Sequence, residues 1–372
     1  MQYSLDIDVY FSRKVRYIMY NTQMKAEVAD LCKAQLSRYP ATQALDLLKL
    51  LFQGEFGPGH LIENSAKSKQ YLLDELNSYC GSYLESSADY VESIGFGFSR
   101  VHLGINLSLD TLHRIFELSA QSHHGSNGSF ACKTAILKEL CREDILPFDE
   151  AEIDKLHSEP PTPFRHSEAF RAAHSPAYRV VQNEYCRYIP LLMRIDAAIA
   201  QNSHTIVAID GDAASGKTTL SEYLRQIYAC NVIHMDHFFL RPQQRSEERL
   251  AKPGGNIDHE RFKEEALEPL LTHKPFTYRP FDCQIWDFGK EIAIMPNCLT
   301  VVEGSYSHHP TLKDAYDIKV FLAVNPIEQM RRIALRNAPP LVEKFRNIWI
   351  PMEKAYFEVF DIEKDSDLQF LS

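Results

Sequence analysis

The sequence predicts an α/β protein, with a doubly wound parallel sheet in its C-terminal part and a mainly helical N-terminal part. An apolar, β-branched run that ends at Asp210 is followed directly by the glycine-rich segment 211–219, and then by apolar residues at helical spacing in 220–227. Further apolar runs alternate with helical stretches at residues 231–235, 299–303 and 318–324. Because strands that alternate with helices form parallel sheets, we expect ligands at the carboxyl ends of these strands.

The glycine-rich segment predicts a phosphate-binding loop. Its pattern is Gly, four residues, then Gly-Lys-Thr, which lets a tight turn aim backbone N–H groups at an anion that the next helix dipole also attracts. Lys217 is expected to reach the terminal phosphates of ATP, and the Thr218 hydroxyl is expected to bind Mg²⁺. The predicted nucleotide-binding residues are Gly211, Asp212, Ala213, Ala214, Ser215, Gly216, Lys217, Thr218 and Thr219.

Two acidic residues stand at the ends of predicted strands beside this loop. Asp236 follows the strand at 231–235, and Glu303 ends the strand at 299–303. A kinase needs one carboxylate to accept the proton of the attacking hydroxyl and another to hold magnesium. The alternative is that these acids only cap loops or helices.

The 372-residue chain is long enough for two domains, which we expect at 1–200 and 201–372. The formal net charge is −10, and the parts before and after Ser203 each carry 20 basic and 25 acidic residues, so each part has a charge of −5. Neither part is basic, so no nucleic-acid partner is expected. Self-association as a homo-oligomer is left open.

The chain carries no sign of export or of a membrane anchor. No stretch approaches twenty uninterrupted apolar residues, and residues 1–6 lack a basic and then apolar leader. The eight cysteines are scattered without a Cys-x-x-Cys pair, so neither a disulfide framework nor a zinc site is indicated. We therefore expect a cytoplasmic protein with reduced thiols.

Five segments of the C-terminal part are informative together. They are 211–219, Met-Asp-His-Phe-Phe at 235–239, Gly-Asn-Ile-Asp-His-Glu-Arg-Phe at 255–262, Val-Val-Glu-Gly-Ser-Tyr at 301–306 and Arg-Arg-Ile-Ala-Leu-Arg at 331–336. They look like the successive signatures, in the same order, of the uridine kinase and phosphoribulokinase family of P-loop kinases, so about the last 170 residues resemble that family.

The resemblance implies a role for individual residues. Asp236 would be the general base toward the acceptor hydroxyl, Asp258 would hold sugar hydroxyls, and Glu303 would join Lys217 and Thr218 in serving phosphate and Mg²⁺. Arg332, together with Arg331 or Arg336, would neutralise charge on the transferred phosphoryl group or clamp the substrate.

Two departures from the family concern the acceptor. Tyr278 begins a stretch similar to the family's Tyr-Asp segment, but Trp286 stands where uridine kinases present a base-reading histidine. An indole can stack or pack, yet it has a single N–H and cannot replace the donor and acceptor functions of imidazole. The lid also looks truncated, since Ala-Pro-Pro-Leu follows Asn337.

The resulting hypothesis is an ATP- and Mg²⁺-dependent kinase that phosphorylates a hydroxyl on a small sugar-containing or nucleoside-like metabolite. Within this class, pantothenate, glycerate or a pentose phosphate are alternative acceptors. The alternative from another class is an NTP-hydrolysing switch whose N-terminal domain binds a partner.

The N-terminal part resembles a region that accompanies uridine-kinase-like domains in some bacterial proteins, and the resemblance implies no reaction. Helical periodicity is clear at 44–51 and 109–118. The segment 52–60 reads as a structural turn or as a binding loop. The segment 166–179 is dense in groups that could meet a phosphate or a carboxylate, and its histidines, His166 and His174, serve either surface or interdomain hydrogen bonds or a metal. The region either lends residues to the acceptor site or is a separate sensor or enzyme.

Overall fold

The computed structural model describes residues 22–81, 90–123, 125–156 and 160–372. The predicted lack of a leader at residues 1–6 lies outside these ranges. The chain divides into two compact units, and the second unit begins at Pro190. That the chain consists of two domains at 1–200 and 201–372 stays a prediction.

The N-terminal unit contains an antiparallel sheet that the sequence did not indicate. Its strands, in the spatial order β1-β2-β3, are β1 (Val91–Gly95), β2 (Phe98–His102) and β3 (Tyr178–Gln182). Strand β2 buries the charged Arg100 next to Ser99. Strands are recognised in a sequence by an alternation of apolar and polar residues. A charged residue at a buried position breaks this alternation, so β2 was not predicted.

Helices form the rest of the described N-terminal unit. The predicted segments 44–51 and 109–118 are parts of longer helices, and the second begins at Ser108, whose hydroxyl accepts a hydrogen bond from the Thr111 backbone N–H. The helices are 22–38, Ala44–Phe56, Ser65–Ser78, Leu109–Ser122, Asn127–Arg142, Glu150–Leu156, Glu168–His174 and Asn183–Cys186, with a 3₁₀ turn at Gly59–Leu61.

The C-terminal unit contains the predicted parallel sheet. Its strands are β4 (Thr205–Gly211), β5 (Asn231–His234), β6 (Phe276–Tyr278), β7 (Phe281–Asp282), β8 (Asp287–Phe288), β9 (Ile292–Ile294), β10 (Leu299–Glu303), β11 (Ile318–Ala323) and β12 (Leu368–Leu371). Five of them form one sheet in the order β12-β11-β4-β10-β5, and all neighbours in it are parallel. The α/β fold class is thereby confirmed. The pairs β6-β9 and β7-β8 are small antiparallel ribbons.

The central strand β4 is buried along its whole length, as its apolar, β-branched sequence predicts. Helices follow the strands as expected for a doubly wound sheet. They are Ile189–Gln201, Lys217–Tyr228, Glu247–Leu250, a run from His259 to Leu271 with a π-type turn at Lys263–Leu267, Pro326–Arg336, and a run from Pro339 to Val359 with a π-type turn at Phe345–Trp349. Short 3₁₀ turns lie at Met235–Phe238, Pro242–Gln244 and Lys313–Ala315. Across the described ranges, no helix is long and apolar enough to span a bilayer.

The buried carboxylate of Asp210, at the end of β4, gives the first testable prediction. One oxygen accepts hydrogen bonds from two backbone N–H groups, and the other accepts from one N–H and a tyrosine hydroxyl. Asp210→Asn keeps the shape but replaces one of these oxygens by an NH₂ group, which faces donors. We expect it to lower the free energy of unfolding by about 2 to 4 kcal/mol.

Urea unfolding followed by tryptophan fluorescence measures this change. Both tryptophans, Trp286 and Trp349, lie in the C-terminal unit, so the signal reports on that unit. The control is Asp314→Asn, at an exposed position of the same unit. An unchanged midpoint for Asp210→Asn would show that this network does not stabilise the fold.

Candidate nucleotide and acceptor site

The segment 211–219 forms a tight loop between β4 and the helix Lys217–Tyr228. Gly211 has a φ of 137°, and a Cβ there would lie 2.1 Å from the Leu322 carbonyl oxygen, so no larger residue fits. Gly216, with a φ of 97°, is left-handed and precedes the helix. The loop thus has the backbone shape that phosphate binding requires, and nucleotide binding itself stays a prediction.

The side chain of Lys217 lies across this loop. Its Nζ donates to the carbonyl oxygens of Gly211 (2.7 Å) and Asp212 (2.8 Å), and only 9% of the residue is exposed. The ammonium charge is therefore held at the loop and not in open solvent. A cation in this place can attract the phosphate oxygens of a nucleotide.

Residues from two later helices form hydrogen bonds to the backbone of the loop. The Ala213 backbone N–H donates to Glu353 (3.0 Å), and its carbonyl accepts from the Gln329 side chain (3.0 Å). The second Glu353 oxygen accepts from the Ser305 hydroxyl (2.7 Å), and burial raises the pKa of this carboxyl. Sequence reasoning missed Glu353 and Gln329, because no local pattern marks a residue that reaches the loop from more than a hundred positions away.

The two predicted magnesium ligands lie next to each other. The Thr218 hydroxyl is 3.4 Å from each carboxylate oxygen of Glu303, which is 5% exposed at the end of β10. His234, at the end of the neighbouring strand β5, hydrogen-bonds to the same carboxylate through Nδ1. The hydrogen bond to Glu303 raises the pKa of His234. The sequence did not single out His234, although the parallel register places it opposite Glu303.

A hydroxyl and a carboxylate are hard oxygen donors, so this pair fits Mg²⁺. Within the described ranges, no three His, Cys, Asp or Glu side chains form a group that could hold a metal by themselves. A magnesium ion usually has few protein ligands and takes the others from phosphates and water. Thr218 and Glu303 would hold the ion only together with a bound nucleotide.

Asp236 follows β5 and lies near this pair. Its carboxyl is accessible to solvent, but protein atoms surround it on most sides. This burial, together with the negative charge of Glu303, raises the pKa of Asp236, and the charge of Lys217 opposes the rise. A carboxylate with a raised pKa is a stronger base than an ordinary one, which suits proton abstraction from a hydroxyl.

The other predicted acceptor residues, Asp258 and Tyr278, contact the residues that follow Asp236, and together with His237 we call them the acceptor wall. Asp258 is 2% exposed and accepts hydrogen bonds from the Arg261 backbone N–H (3.2 Å) and the Gln244 side chain (2.8 Å), so it caps a helix. The buried Tyr278 hydroxyl is 3.0 Å from Nδ1 of His237, the residue after Asp236. The capping role of Asp258 is observed, and its contact with acceptor hydroxyls stays a prediction.

Trp286 lies in the turn between β7 and β8, with a φ of 55°, and half of its surface is exposed. The Arg245 guanidinium is 5.7 Å from its ring centroid, and the Phe281 ring packs against it at 6.3 Å. The indole is therefore available to stack on a ligand, as the sequence suggests.

Only one arginine of the predicted trio contacts the loop in the described residues. Arg332 donates to the carbonyl oxygen of Ala214 (3.2 Å) and to the Ser372 hydroxyl (2.8 Å). Arg331 is exposed and pairs with a glutamate of its own helix, and Arg336 is exposed at the end of that helix. The structure therefore separates Arg332 from the other two, and its role toward phosphate stays a prediction.

Three arginines that the sequence did not single out surround Phe288 of strand β8. The guanidinium groups of Arg279, Arg261 and Arg241 lie 4.7, 5.3 and 5.9 Å from the ring centroid. Arg241 also donates to Gln244, the residue that binds Asp258. These cations are thus continuous with the predicted acceptor wall.

The sequence matches no protein-family model, and no similar sequence is found among curated proteins. Its structure is similar to that of a protein described as a possible uridine kinase from Bacillus stearothermophilus, with 19% identity over 49% of this chain and 99% of the other and a TM-score of 0.36. A protein described as a fructose transport system kinase from Silicibacter sp. TM1040 has 22% identity over 48% and 95%, with a TM-score of 0.38. Shikimate kinase from Bacteroides thetaiotaomicron has 18% identity over 45% and 86%, with a TM-score of 0.25.

All three proteins are described as kinases, and each match covers about half of this chain.

The hydrogen bond between His234 and Glu303 predicts that the expected Mg²⁺ binding depends on pH. Since Glu303 raises the pKa of His234, protonated His234 holds the carboxylate at low pH and competes with Mg²⁺. Deprotonation frees the carboxylate, so Mg²⁺ affinity should increase as the pH rises through this pKa, by at most about tenfold per pH unit for one proton.

Calorimetric titration of Mg²⁺ into the protein with bound ADP, between pH 6 and 8, tests this linkage. The variant His234→Asn removes the competing proton but leaves the titration of ADP itself, so it should lose the protein's part of the pH dependence. Equal pH profiles for the two proteins would exclude Glu303 as the metal ligand or His234 as its competitor.

Proposed function

We propose that the C-terminal unit is an ATP- and Mg²⁺-dependent kinase that transfers the γ-phosphoryl group to a hydroxyl of a small sugar-containing or nucleoside-like metabolite. The observation that carries this proposal is the placement of three groups beside the loop, Thr218 at the start of the following helix and Glu303 and Asp236 at the ends of two adjacent strands. Thr218 and Glu303 lie 3.4 Å apart beside the loop, and Asp236 is close enough for the Glu303 charge to raise its pKa. A kinase needs these functions side by side.

In this proposal each residue has one task. The loop N–H groups and Lys217 bind the phosphates, and Thr218 and Glu303 hold Mg²⁺, which supplies charge to neutralise the phosphates when bound. Asp236 accepts the proton of the attacking hydroxyl, which approaches in line with the γ-phosphate. Arg332 adds positive charge on the far side of the loop. A cytoplasmic location, where ATP is available, belongs to the same proposal.

The raised pKa of Asp236 favours a kinase over a nucleotide-hydrolysing switch. A switch needs to position water only, whereas a kinase needs a base that can take a proton from an alcohol. Asp236 has an elevated pKa next to a wall of polar and aromatic groups, which includes His237, Tyr278 and Asp258. Such a wall is of use to an enzyme with a second substrate.

The arginines around Phe288 favour an anionic acceptor. Arg241 and Arg279 are exposed, and among the described residues neither has a carboxylate within ion-pair distance. Unpaired guanidinium groups beside the acceptor wall match a carboxylate or phosphate on the substrate. Of the alternatives above, pantothenate, glycerate and a pentose phosphate all carry such a group, so we propose these as the second set of acceptors.

An acceptor screen tests the proposal directly. ADP production is followed with ATP and Mg²⁺ against nucleosides, pentoses, pentose phosphates, pantothenate and glycerate. We expect ADP formation only with an acceptor, and poor use of uridine and cytidine because Trp286 stands in place of a base-reading group. Hydrolysis of ATP at one rate with every compound would support the switch.

Asp236→Asn should reduce turnover with the true acceptor by about 10²- to 10⁴-fold, because the amide cannot accept a proton. Nucleotide affinity should change little. Steady-state kinetics and ADP titration measure both quantities, with Asp314→Asn at an exposed position as the control. A loss of less than about fivefold, under ~1 kcal/mol of barrier, would remove Asp236 as the base and make Glu303 the candidate.

Arg279→Ala should raise the KM of an anionic acceptor by about tenfold and leave the KM for ATP unchanged, because it removes one of the positive charges around Phe288 that we propose for the acceptor. The matched control is Arg225→Ala, which removes an exposed arginine that forms an ion pair with Glu222 of its own helix. If Arg279→Ala affects neutral and anionic acceptors equally, the arginines do not select for charge.

A further inference from the structure

The N-terminal unit contains a cavity of its own, with a volume of about 1060 Å³. The helices Ala44–Phe56 and Ser65–Ser78 and the strand β3 contribute to its wall. Ligand pockets typically have volumes of about 300 to 1,000 Å³, so a metabolite fits in this space. No residue of the proposed kinase site lines the cavity.

A directed chain of hydrogen bonds ends at the wall of this cavity. The fully buried Asp46 accepts from the Ser167 backbone N–H, the Ser167 hydroxyl and the Gln43 backbone N–H, and it binds Nδ1 of His166 at 2.7 Å. Since a carboxylate can only accept, His166 Nδ1 must be the donor. Nε2 of a neutral His166 is then an acceptor, and the Tyr178 hydroxyl lies 2.6 Å from it.

The other end of the chain is the guanidinium of Arg100, which is inaccessible to solvent. Arg100 donates two hydrogen bonds to the oxygen of Gln53 (3.1 and 2.9 Å) and lies 4.9 Å from the Tyr178 ring centroid. The Gln53 NH₂ group therefore points to the Tyr178 oxygen, at 3.2 Å. The phenol donates to His166 and accepts from Gln53, so the direction of each bond in the chain is fixed.

The stability of the fold alone does not require such a network. Burying charged and polar groups carries a desolvation penalty that well-packed apolar residues of similar size would avoid. Burial also lowers the pKa of His166, which keeps the imidazole in the neutral form that this network needs. Three members of the network, Gln53, His166 and Tyr178, line the cavity, which suggests that the network serves a ligand there.

Lys49 adds a positive charge to the wall of the cavity. It lies on the same helix as Asp46 and Gln53, and its Nζ makes one hydrogen bond, to the Phe164 carbonyl oxygen (2.9 Å). No carboxylate of the described residues is within ion-pair distance of it. Burial and the nearby Arg100 lower its pKa to about 8, so at neutral pH most of the amine is still charged. An anionic ligand would relieve this unfavourable environment.

Aromatic residues form another part of the cavity wall. Phe116, Tyr71 and Tyr178 present rings to the cavity, and the Arg179 guanidinium lies 5.5 Å from the Phe116 ring. Arg179 pairs with Glu75 at the exposed rim. A planar apolar group can pack against aromatic rings in this wall, and its anionic group can approach Lys49, which lines the same cavity.

We propose that this cavity is a second small-molecule site, independent of the kinase site, which binds a small organic anion with a planar apolar part. Lys49 binds the anionic group. Tyr178, oriented by His166 and Gln53, provides a positioned hydroxyl at the wall. The N-terminal unit is then a ligand-binding module in its own right.

Calorimetry on the full chain, with Mg²⁺ and ADP present to occupy the kinase site, tests this proposal. The probes are benzoate for a carboxylate, phenyl phosphate for a phosphate, and benzyl alcohol as the neutral analogue. We expect one or both anions to bind, and benzyl alcohol to bind more weakly. Lys49→Met should weaken binding of the anions by about tenfold to a hundredfold. Lys33→Met, on an exposed helical face, should not change it.

A stronger effect on one anion than on the other assigns the group as carboxylate or phosphate. No binding of either anion up to about 10 mM, corresponding to less than ~3 kcal/mol, would overturn the proposal. Tighter binding of benzyl alcohol, or unchanged affinity in Lys49→Met, would also overturn it. Because ADP and Mg²⁺ occupy the kinase site in this measurement, and no residue of that site lines the cavity, a failure here is distinct from a failure of the kinase proposal.

A second measurement avoids any dependence on a variant that fails to fold. Competitive acylation of the wild-type chain at neutral pH, read by mass spectrometry, compares the rates at Lys49 and Lys33 with and without saturating probe. We expect the probe to slow acylation at Lys49 only. An unchanged rate at Lys49 would show that the anion does not bind there.

Discussion

The carboxylate of Asp210 holds the C-terminal site together. It accepts hydrogen bonds from the backbone N–H groups of Gly211, Tyr306 and His308 and from the Tyr356 hydroxyl. These donors belong to the start of the loop, to the segment after β10 and to the helix Ile350–Val359. Because a buried carboxylate is strongly destabilising unless its oxygens are hydrogen-bonded, the three segments have to converge on it.

The positions of these segments determine where the candidate metal ligand and the residues that support the loop lie. The parallel register sets Glu303 opposite Ile209 of β4 on one side and opposite His234 of β5 on the other. The helix that carries Tyr356 also carries Glu353, one turn earlier, to the loop backbone at Ala213. A few backbone pairings thus determine where the predicted metal ligand lies and how the loop is supported.

The sequence was most informative where the determinants of structure are local. The loop, its flanking strand and helix, and the acids at the strand ends follow from consecutive residues, and the parallel sheet was predicted from their repetition. Glu353 reaches the loop from 140 positions away, and no periodicity marks it. The acceptor wall was predicted in part: the sequence named Asp258 and Tyr278, but not the arginines that approach Phe288 from separate segments.

In the N-terminal unit, by contrast, the determinants of the structure are far apart in the sequence. Its sheet was missed because Glu92 and Arg100 face each other within it, and a pair of charges in neighbouring strands reads from sequence as a solvent-exposed face. Arg100 has side chains as its partners, whereas Asp210 gathers mostly backbone groups. An acid that binds backbone donors, such as Asp210, can be recognised in the sequence as an acid at a strand end, because the local sequence pattern already predicts the strand. Arg100 instead binds side chains that are far apart in the sequence, among them Gln35 and Gln53. The cavity beside this network can therefore be recognised only in the folded structure.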